Sequence, residues 1–285
     1  GVAEEKVSLS PKEVTRQMVD NFLKGGAGIS FLCRQHGFRL RVVDAGVDAE
    51  LPAADGLIDL KIRRGTRNFV DTAAMTREEM ELAVERGASV AAMCRDDGCN
   101  VISFGEMGIG NTTTSSAVAS VLLQKDPELV TGAGAGLDSA GLKRKTEAIR
   151  RGIGLHHPDP MDGMEVLQKV GGFDLAAMAG AFLGGAIYHV PVVIDGVIAA
   201  AAAAAAGRIA PAATDYMLAA HVSAEPASIW LLDLIGVTPA IQAGLRLGEG
   251  TGALALFPLL DMALSIYRDM DTFAEMEIEE YKPLV

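Results

Sequence analysis

Cysteine is scarce in this chain: Cys33, Cys94 and Cys99 are the three in 285 residues. An odd, sparse set makes no disulfide framework and is the usage expected of a reducing cytoplasm. Cys94 and Cys99 have no second pair and no nearby histidine, so no metal site is expected there. The five histidines are scattered, and no Ser/His/Asp or Cys/His arrangement of nucleophile and base stands out. Positive charge is short as well. Twenty-five Lys and Arg face 37 Asp and Glu, a formal net charge of −12, and no long basic run occurs. Neither nucleic acid nor an anionic membrane is therefore expected as the main partner. Any phosphate must be held locally, by backbone amides and one or two cations. Long apolar runs are missing too: residues 253–267 are broken by Pro258 and Asp261, and 198–206 are too few to span a bilayer. With charges at Glu4, Glu5 and Lys6, no signal peptide is expected.

What is present suits a sizeable core, since 49% of the residues are hydrophobic. Val14, Met18 and Phe22 recur every fourth residue, which predicts a helix over 11–22. Residues 38–43 read as a strand and 56–71 as a basic loop. Thr76 with Glu79 makes a capping box for a helix running to about Arg86 or beyond. Residues 138–154 read as a helix with Leu142, Ile149 and Ile153 on one stripe and Gly154 as its end. Further helices are expected over 172–187, 198–206, 226–235 and 251–268. Strands are expected over 100–104, 191–195 and 216–221, and the tail 269–285 is acidic and mixed. The strands are continuous apolar runs rather than alternating ones, as in an α/β fold whose parallel sheet is covered on both faces. Ligands of such folds sit at the carboxyl ends of the strands, where 105–111, 195–196 and 223–226 fall.

The first of these segments carries the most information. Val101 to Phe104 form an apolar strand that enters Gly105-Glu106-Met107-Gly108-Ile109-Gly110, and a helix follows behind an Asn111/Thr112 cap. That geometry aims amides and a helix N-terminus at one point, which suits a phosphate; a plain strand-to-helix turn is the alternative. No Gly-Lys-Ser/Thr follows, so it is not a Walker loop, and Thr113 stands where a dinucleotide fingerprint wants a small residue. At about 100° per residue, Lys145 lies roughly 60° from Leu142, at the edge of the buried stripe. It is there either to meet a phosphate or as a snorkelling lysine. Glu249 stands between Gly248 and Gly250, which permit close substrate approach. It reads as a general base or as a helix cap; a free glutamate, at about 4.3, is low for a base near neutrality. Asp195 ends a buried strand and would bind ribose hydroxyls or cap the next helix. Glu106 and Glu225 are further site carboxylates.

At these residues the chain resembles the nicotinate-nucleotide–dimethylbenzimidazole phosphoribosyltransferases, which serve lower-ligand synthesis in cobalamin. The match runs from Gly105 through Thr113, then through Gly141-Leu142-Lys143-Arg144-Lys145 and Gly171-Gly172-Phe173-Asp174. It continues through Pro191-Val192-Val193-Ile194-Asp195-Gly196, Ser223-Ala224-Glu225 and Leu245 to Ala253, in the family's order over nearly the whole chain. The resemblance implies a Rossmann-like parallel sheet flanked by helices, with a smaller helical lobe built from both chain ends. Residues 35–250 would form the large nucleotide-binding domain, and 1–34 with 251–285 the lobe. It implies a homodimer, small-molecule substrates, no metal and no cofactor. The reaction it implies moves the phosphoribosyl group of nicotinate mononucleotide onto a benzimidazole nitrogen, releasing nicotinate. Glu249 matches the family's catalytic glutamate. Gly105, Glu106, Gly108, Gly110, Asn111, Lys145, Asp195, Ser223, Gly248 and Gly250 would hold the nucleotide, and Ser8, Gln17, Met18 and Leu247 the base.

Two departures bear on this expectation. The Asp-His pair and helical segment that the family carries upstream of Gly1-Val2 are not in this sequence, so an incomplete small lobe or dimer contact is expected. Ser10 stands where an aromatic commonly precedes the proline, which opens the acceptor to other benzimidazoles, a purine or a phenol. Two rival readings remain at this level. A dinucleotide oxidoreductase would want an acid about 20 residues after the turn, where Asp126 and Glu128 flank Pro127 in an apparent loop. A non-catalytic paralogue or binding subunit is disfavoured by the presence of Glu249, Lys145 and the glycine turn together.

Overall fold

The protein is described here from a computed structural model covering residues 1–134 and 136–279. The end of the acidic tail, 280–285, lies outside the described residues. After a 3₁₀ turn (Val2–Glu5), α1 (Val14–Leu23) and α2 (Gly28–His36) precede β1 (Val42–Asp44), β2 (Leu57–Asp59) and α3 (Arg77–Asp96). The central segment holds β3 (Ile102–Phe104), α4 (Asn111–Leu123), α5 (Pro127–Val130), α6 (Ser139–His156), α7 (Gly163–Val170) and α8 (Phe173–Ile187). Then come β4 (Val192–Ile194), α9 (Val197–Ile209), a 3₁₀ turn (Pro211–Tyr216), β5 (Met217–Ala219), α10 (Ser228–Leu234) and α11 (Thr251–Asp269).

The fold is α/β, with parallel sheets flanked by helices. Among the described residues the strands form two sheets: β1 pairs with β2, and β4 lies between β3 and β5. Both faces of the second sheet are covered. Val192 and Ile194 point into the large core, while Val193 joins a second cluster with Ile29, Ala253, Leu254 and Phe257. This two-sided burial is why β4 reads as an unbroken apolar run. The second cluster draws α1, α2 and α11 together on that side.

Small residues set the packing elsewhere. Ala199 to Ala206 of α9 are all essentially inaccessible. Helices α3 and α8 touch backbone to backbone: a Cβ on Gly180 would stand 1.9 Å from the Val84 carbonyl oxygen, and one on Gly87 1.9 Å from that of Ala177. The Thr76–Glu79 capping box forms, and α3 runs ten residues past Arg86, to Asp96.

Several expectations are corrected. Residues 57–59 are a strand inside the expected loop 56–71. Residues 28–36 and 163–170 are helices that the periodicity missed. Helix α4 is capped by Gly110 at φ 96°, with no side-chain cap from Asn111 or Thr112. Helix α6 passes Gly154 and ends at His156, with His157 left-handed at φ 42° before Pro158.

Candidate active site

The carboxyl ends of β3, β4 and β5 lead respectively to the glycine turn, to Asp195-Gly196 and to His221–Ser223. A Cβ on Gly196 would stand 3.9 Å from the Ser223 side chain, so the β4 and β5 loops are neighbours. The loop at 248–250 joins them from the far end of the chain. A Cβ on Gly105 would come 2.1 Å from the Gly250 nitrogen and 2.3 Å from the Glu249 carbonyl carbon. Only glycine at 105 lets the two loops abut. Gly105→Ala is therefore expected to displace Glu249 and lower kcat about 100-fold, at a stability cost of about 1–3 kcal/mol. Wild-type kinetics in a folded variant would remove this account of Gly105.

Lys145 is the electropositive centre. Its side chain is 0% exposed, not at the rim of a stripe. Nζ donates to Thr112 Oγ1 (3.0 Å), in the first turn of α4, and to the Gly132 carbonyl (2.9 Å). No carboxylate pairs with it within 4 Å among the described residues. Burial lowers its pKa to about 8, with Glu225 opposing the shift. An ammonium beside a helix N-terminus puts like charge near the positive end of the dipole, and an anion between them relieves both. Glu225 Oε1 accepts from Gly134 N–H (3.2 Å), so it flanks this hole. The 132–134 segment was missed in the sequence, although its Gly132-Ala133-Gly134 alternation was a visible signal of close backbone approach.

Glu249 itself is left-handed at φ 62°, between Gly248 at 80° and Gly250 at 86°. Its Oε2 accepts from Ile29 N–H (3.3 Å), at the start of α2. Asp195 holds the loop from below: Oδ2 accepts from Gly250 N–H (3.2 Å) and Oδ1 from Ala253 N–H (2.8 Å). Asp195 thus caps α11 rather than the helix after its own strand, with one amide on each carboxylate oxygen. His221 Nε2 lies 3.7 Å from Asp195 Oδ1. Burial, the largest single influence, opposes protonation of His221, but Asp195 and a backbone hydrogen bond with Val222 together pull the pKa up.

The acidic residues crowd one another. Glu106 is pushed up to about 8 by burial, then by Asp174 and Asp195; the Asn111 amide that donates to it works the other way. Asp174, at the start of α8, is raised chiefly by burial. A Cβ on Gly108 would lie 3.9 Å from Asp174 Oδ2, which puts Asp174 beside the glycine turn. No group of three His, Cys, Asp or Glu among the described residues is arranged to hold a metal.

The expected base-side residues are less tightly gathered. Thr15 Oγ1 accepts from Ile109 N–H (3.0 Å), so α1 abuts the turn. Met18 packs on the cluster that contains Ile29 and Ala253. Leu247 is 69% exposed beside Gly28 and Glu249. Ser8 accepts from Ser10 N–H (3.2 Å) and lines a cavity of about 430 Å³ with Ser10 and Pro11. Gln17 is exposed. No hydrogen bond among the described residues ties Ser8 or Gln17 to Glu249. A larger cavity, about 600 Å³ between α4 and α6, touches none of the site loops.

The DBI_PRT phosphoribosyltransferase family profile matches residues 1–278. The chain belongs to this family. The nicotinate-nucleotide–dimethylbenzimidazole phosphoribosyltransferase of Clostridium acetobutylicum is 46% identical over 284 residues, covering 100% of this chain and 80% of the relative. That of Bacteroides fragilis is 43% identical, over 99% and 81%. The crystal structure of CobT from Thermus thermophilus superposes with a TM-score of 0.93 at 41% identity, covering 99% of this chain and 84% of that one. The two structures thus share one fold across almost the whole of this chain. No helix among the described residues is long and apolar enough to cross a membrane.

Proposed function

We propose that the protein transfers the phosphoribosyl group of nicotinate mononucleotide to a benzimidazole-type base, giving an α-riboside 5′-phosphate and nicotinate for cobamide synthesis. One observation carries the chemistry: the Lys145 hole at the start of α4 adjoins, through the Gly105–Gly250 contact, the loop that presents Glu249. The 5′-phosphate would sit at the start of α4 with Lys145, at the Thr112 amide, which among the described residues donates to no backbone carbonyl. The pyridinium leaving group already carries positive charge and needs no general acid. The azole nitrogen attacks C1′, the C1′–pyridinium bond breaks, and the azole N–H proton passes to Glu249. Gly108, Gly110, Asn111 and Ser223 would line the nucleotide. Glu106, held neutral near pH 7 by its surroundings, would donate a hydrogen bond to it. Ser8, Gln17, Met18 and Leu247 would face the base, with Gln17 and Leu247 closing onto it from their exposed positions.

The test is a product assay by liquid chromatography and mass spectrometry, with nicotinate mononucleotide and four acceptors: dimethylbenzimidazole, benzimidazole, adenine and a phenol. Released nicotinate with an α-riboside phosphate is the expected result, and the preferred acceptor reports what Ser10 does to the pocket. A folded protein giving no product with any of the four removes the proposal.

We further propose the smaller lobe from 1–34 and 251–285 around 35–250, and a homodimer. The clustering of α1, α2 and α11 supports the lobe. Past Pro258, α11 exposes Leu259, Met262, Ile266 and Tyr267, with Met270 exposed just beyond its end, an apolar face suited to a second copy. Sedimentation should give twice the chain mass, and the pair Leu259→Lys and Ile266→Lys should give the monomer. A monomeric wild type contradicts the dimer.

A further inference from the structure

We propose that Cys94 and Cys99 form a reversible redox pair that closes to a disulfide when a peroxide oxidises Cys99. The placement follows from the way α3 ends. Asp97 is its C-cap, and Gly98 takes φ 78°. Gly98 N–H donates to the Arg95 carbonyl (2.8 Å), and Cys99 N–H to that of Cys94 (3.0 Å). These are the paired bonds of a Schellman motif, whose third-from-last helical residue and second residue beyond the cap bring their side chains together, usually as an apolar contact. Here both positions are cysteine.

Three further observations fit a redox pair. Both thiols are free and half-buried, whereas Cys33 is buried in the cluster around α2. Burial pushes the Cys94 thiol up, with the neighbouring Cys99 adding to the effect, which disfavours Cys94 as the first nucleophile. Arg39 Nη2 donates to Cys99 Sγ (3.2 Å) and to the Asp97 carbonyl (2.9 Å), so a guanidinium is fixed against that sulfur. The covalent steps balance. Cys99 sulfur attacks hydrogen peroxide, the O–O bond breaks, and sulfenic acid and water form. Cys94 sulfur then attacks Cys99 sulfur; the S–O bond breaks, the S–S bond forms, and a second water leaves with the Cys94 proton. Two thiols are oxidised and one peroxide is reduced. No segment has to unfold, because the motif already holds the two residues side by side.

The experiment treats the native full chain with equimolar hydrogen peroxide, alkylates the remaining thiols after denaturation, and maps peptides by mass. The expected result is a Cys94–Cys99 cross-link, two hydrogens lighter than the dithiol and fully reversed by dithiothreitol. Cys94→Ser should stop at a Cys99 sulfenic acid that dimedone traps, and Cys99→Ser should leave Cys94 open to alkylation. Melting curves on both variants establish that they fold. The proposal is overturned if both cysteines alkylate as before, or if the cross-link involves Cys33. It is equally overturned if oxidation runs to sulfinic acid that dithiothreitol does not reverse, or if the pair closes only in urea.

Discussion

Glu249→Gln is expected to lower kcat by about two to four orders of magnitude, the usual contribution of a positioned base, with nicotinate mononucleotide affinity changed no more than a few-fold. Glutamine keeps the volume, and its carbonyl can still accept from Ile29 N–H, as Oε2 does at 3.3 Å. The loop is also held independently by Asp195 on Gly250 and Ala253, so its left-handed backbone should persist. What is lost is the place for the azole proton. The loss should shrink for more acidic azoles, which shed that proton without help. A purely positional role predicts the same loss for every acceptor. Single-turnover rates across a series of benzimidazoles of graded acidity separate the two, and a loss independent of azole acidity would sink the base assignment.

The fold was legible where the signal is local. The capping box at Thr76 and Glu79 specifies the start of α3 from four residues, and the unbroken apolar run at 192–194 specifies a strand covered on both faces. It failed where tertiary contacts decide. Gly154 looked like a helix end because an interior glycine costs about 1 kcal/mol against alanine. The two extra residues are held by distant partners: His156 Nε2 meets the Phe69 carbonyl at 2.7 Å, and Lys169 Nζ donates to the His156 carbonyl. Helix α2 was hidden by Gly25, Gly26 and Gly28 at its entrance. Helix α7 did carry a signal, since Asp162 caps Met164 and Glu165.

The site divides in the same way. Glycine spacing pointed to 105–110 and 248–250, because backbone freedom is written in residue type. Their contact was not readable, since 145 residues separate Gly105 from Gly250 and only the folded chain brings them together. Asp195 illustrates the limit. Its place at the end of β4 was clear from sequence, but its partners are amides 55 and 58 residues onward. Periodicity likewise put Lys145 at a stripe edge, and it is the non-local 132–134 segment that takes it fully out of water.

Lys145 supplies the second large effect. Lys145→Met is expected to raise KM for nicotinate mononucleotide roughly 10- to 100-fold, since a hydrogen bond to a charged group contributes about 1.5–3 kcal/mol. The wild type carries a matching pH signature. Burial lowers Lys145 from 10.5 to about 8 in the free enzyme, so the ammonium is present below that value and lost above it. Since kcat/KM reports the free enzyme, it should fall above pH 8 as Lys145 loses its proton and as Glu106, also pushed up to about 8, ionises. Lys145→Met should keep only the Glu106 limb, and Glu106→Gln should leave that of Lys145, about tenfold per unit. Stability moves in the opposite sense. The folded pKa lies below the unfolded one, so between about 8 and 10.5 the unfolded chain binds more protons and ligand-free stability gains as pH rises. Near pH 7 both states are protonated, and keeping the charge out of water costs the ligand-free fold on the order of 3 kcal/mol, which a bound phosphate offsets. Thermal melts should therefore show the largest stabilisation by nicotinate mononucleotide near neutrality and little above pH 9. A kcat/KM profile that is flat through pH 9 in the wild type would remove Lys145 from the phosphate site.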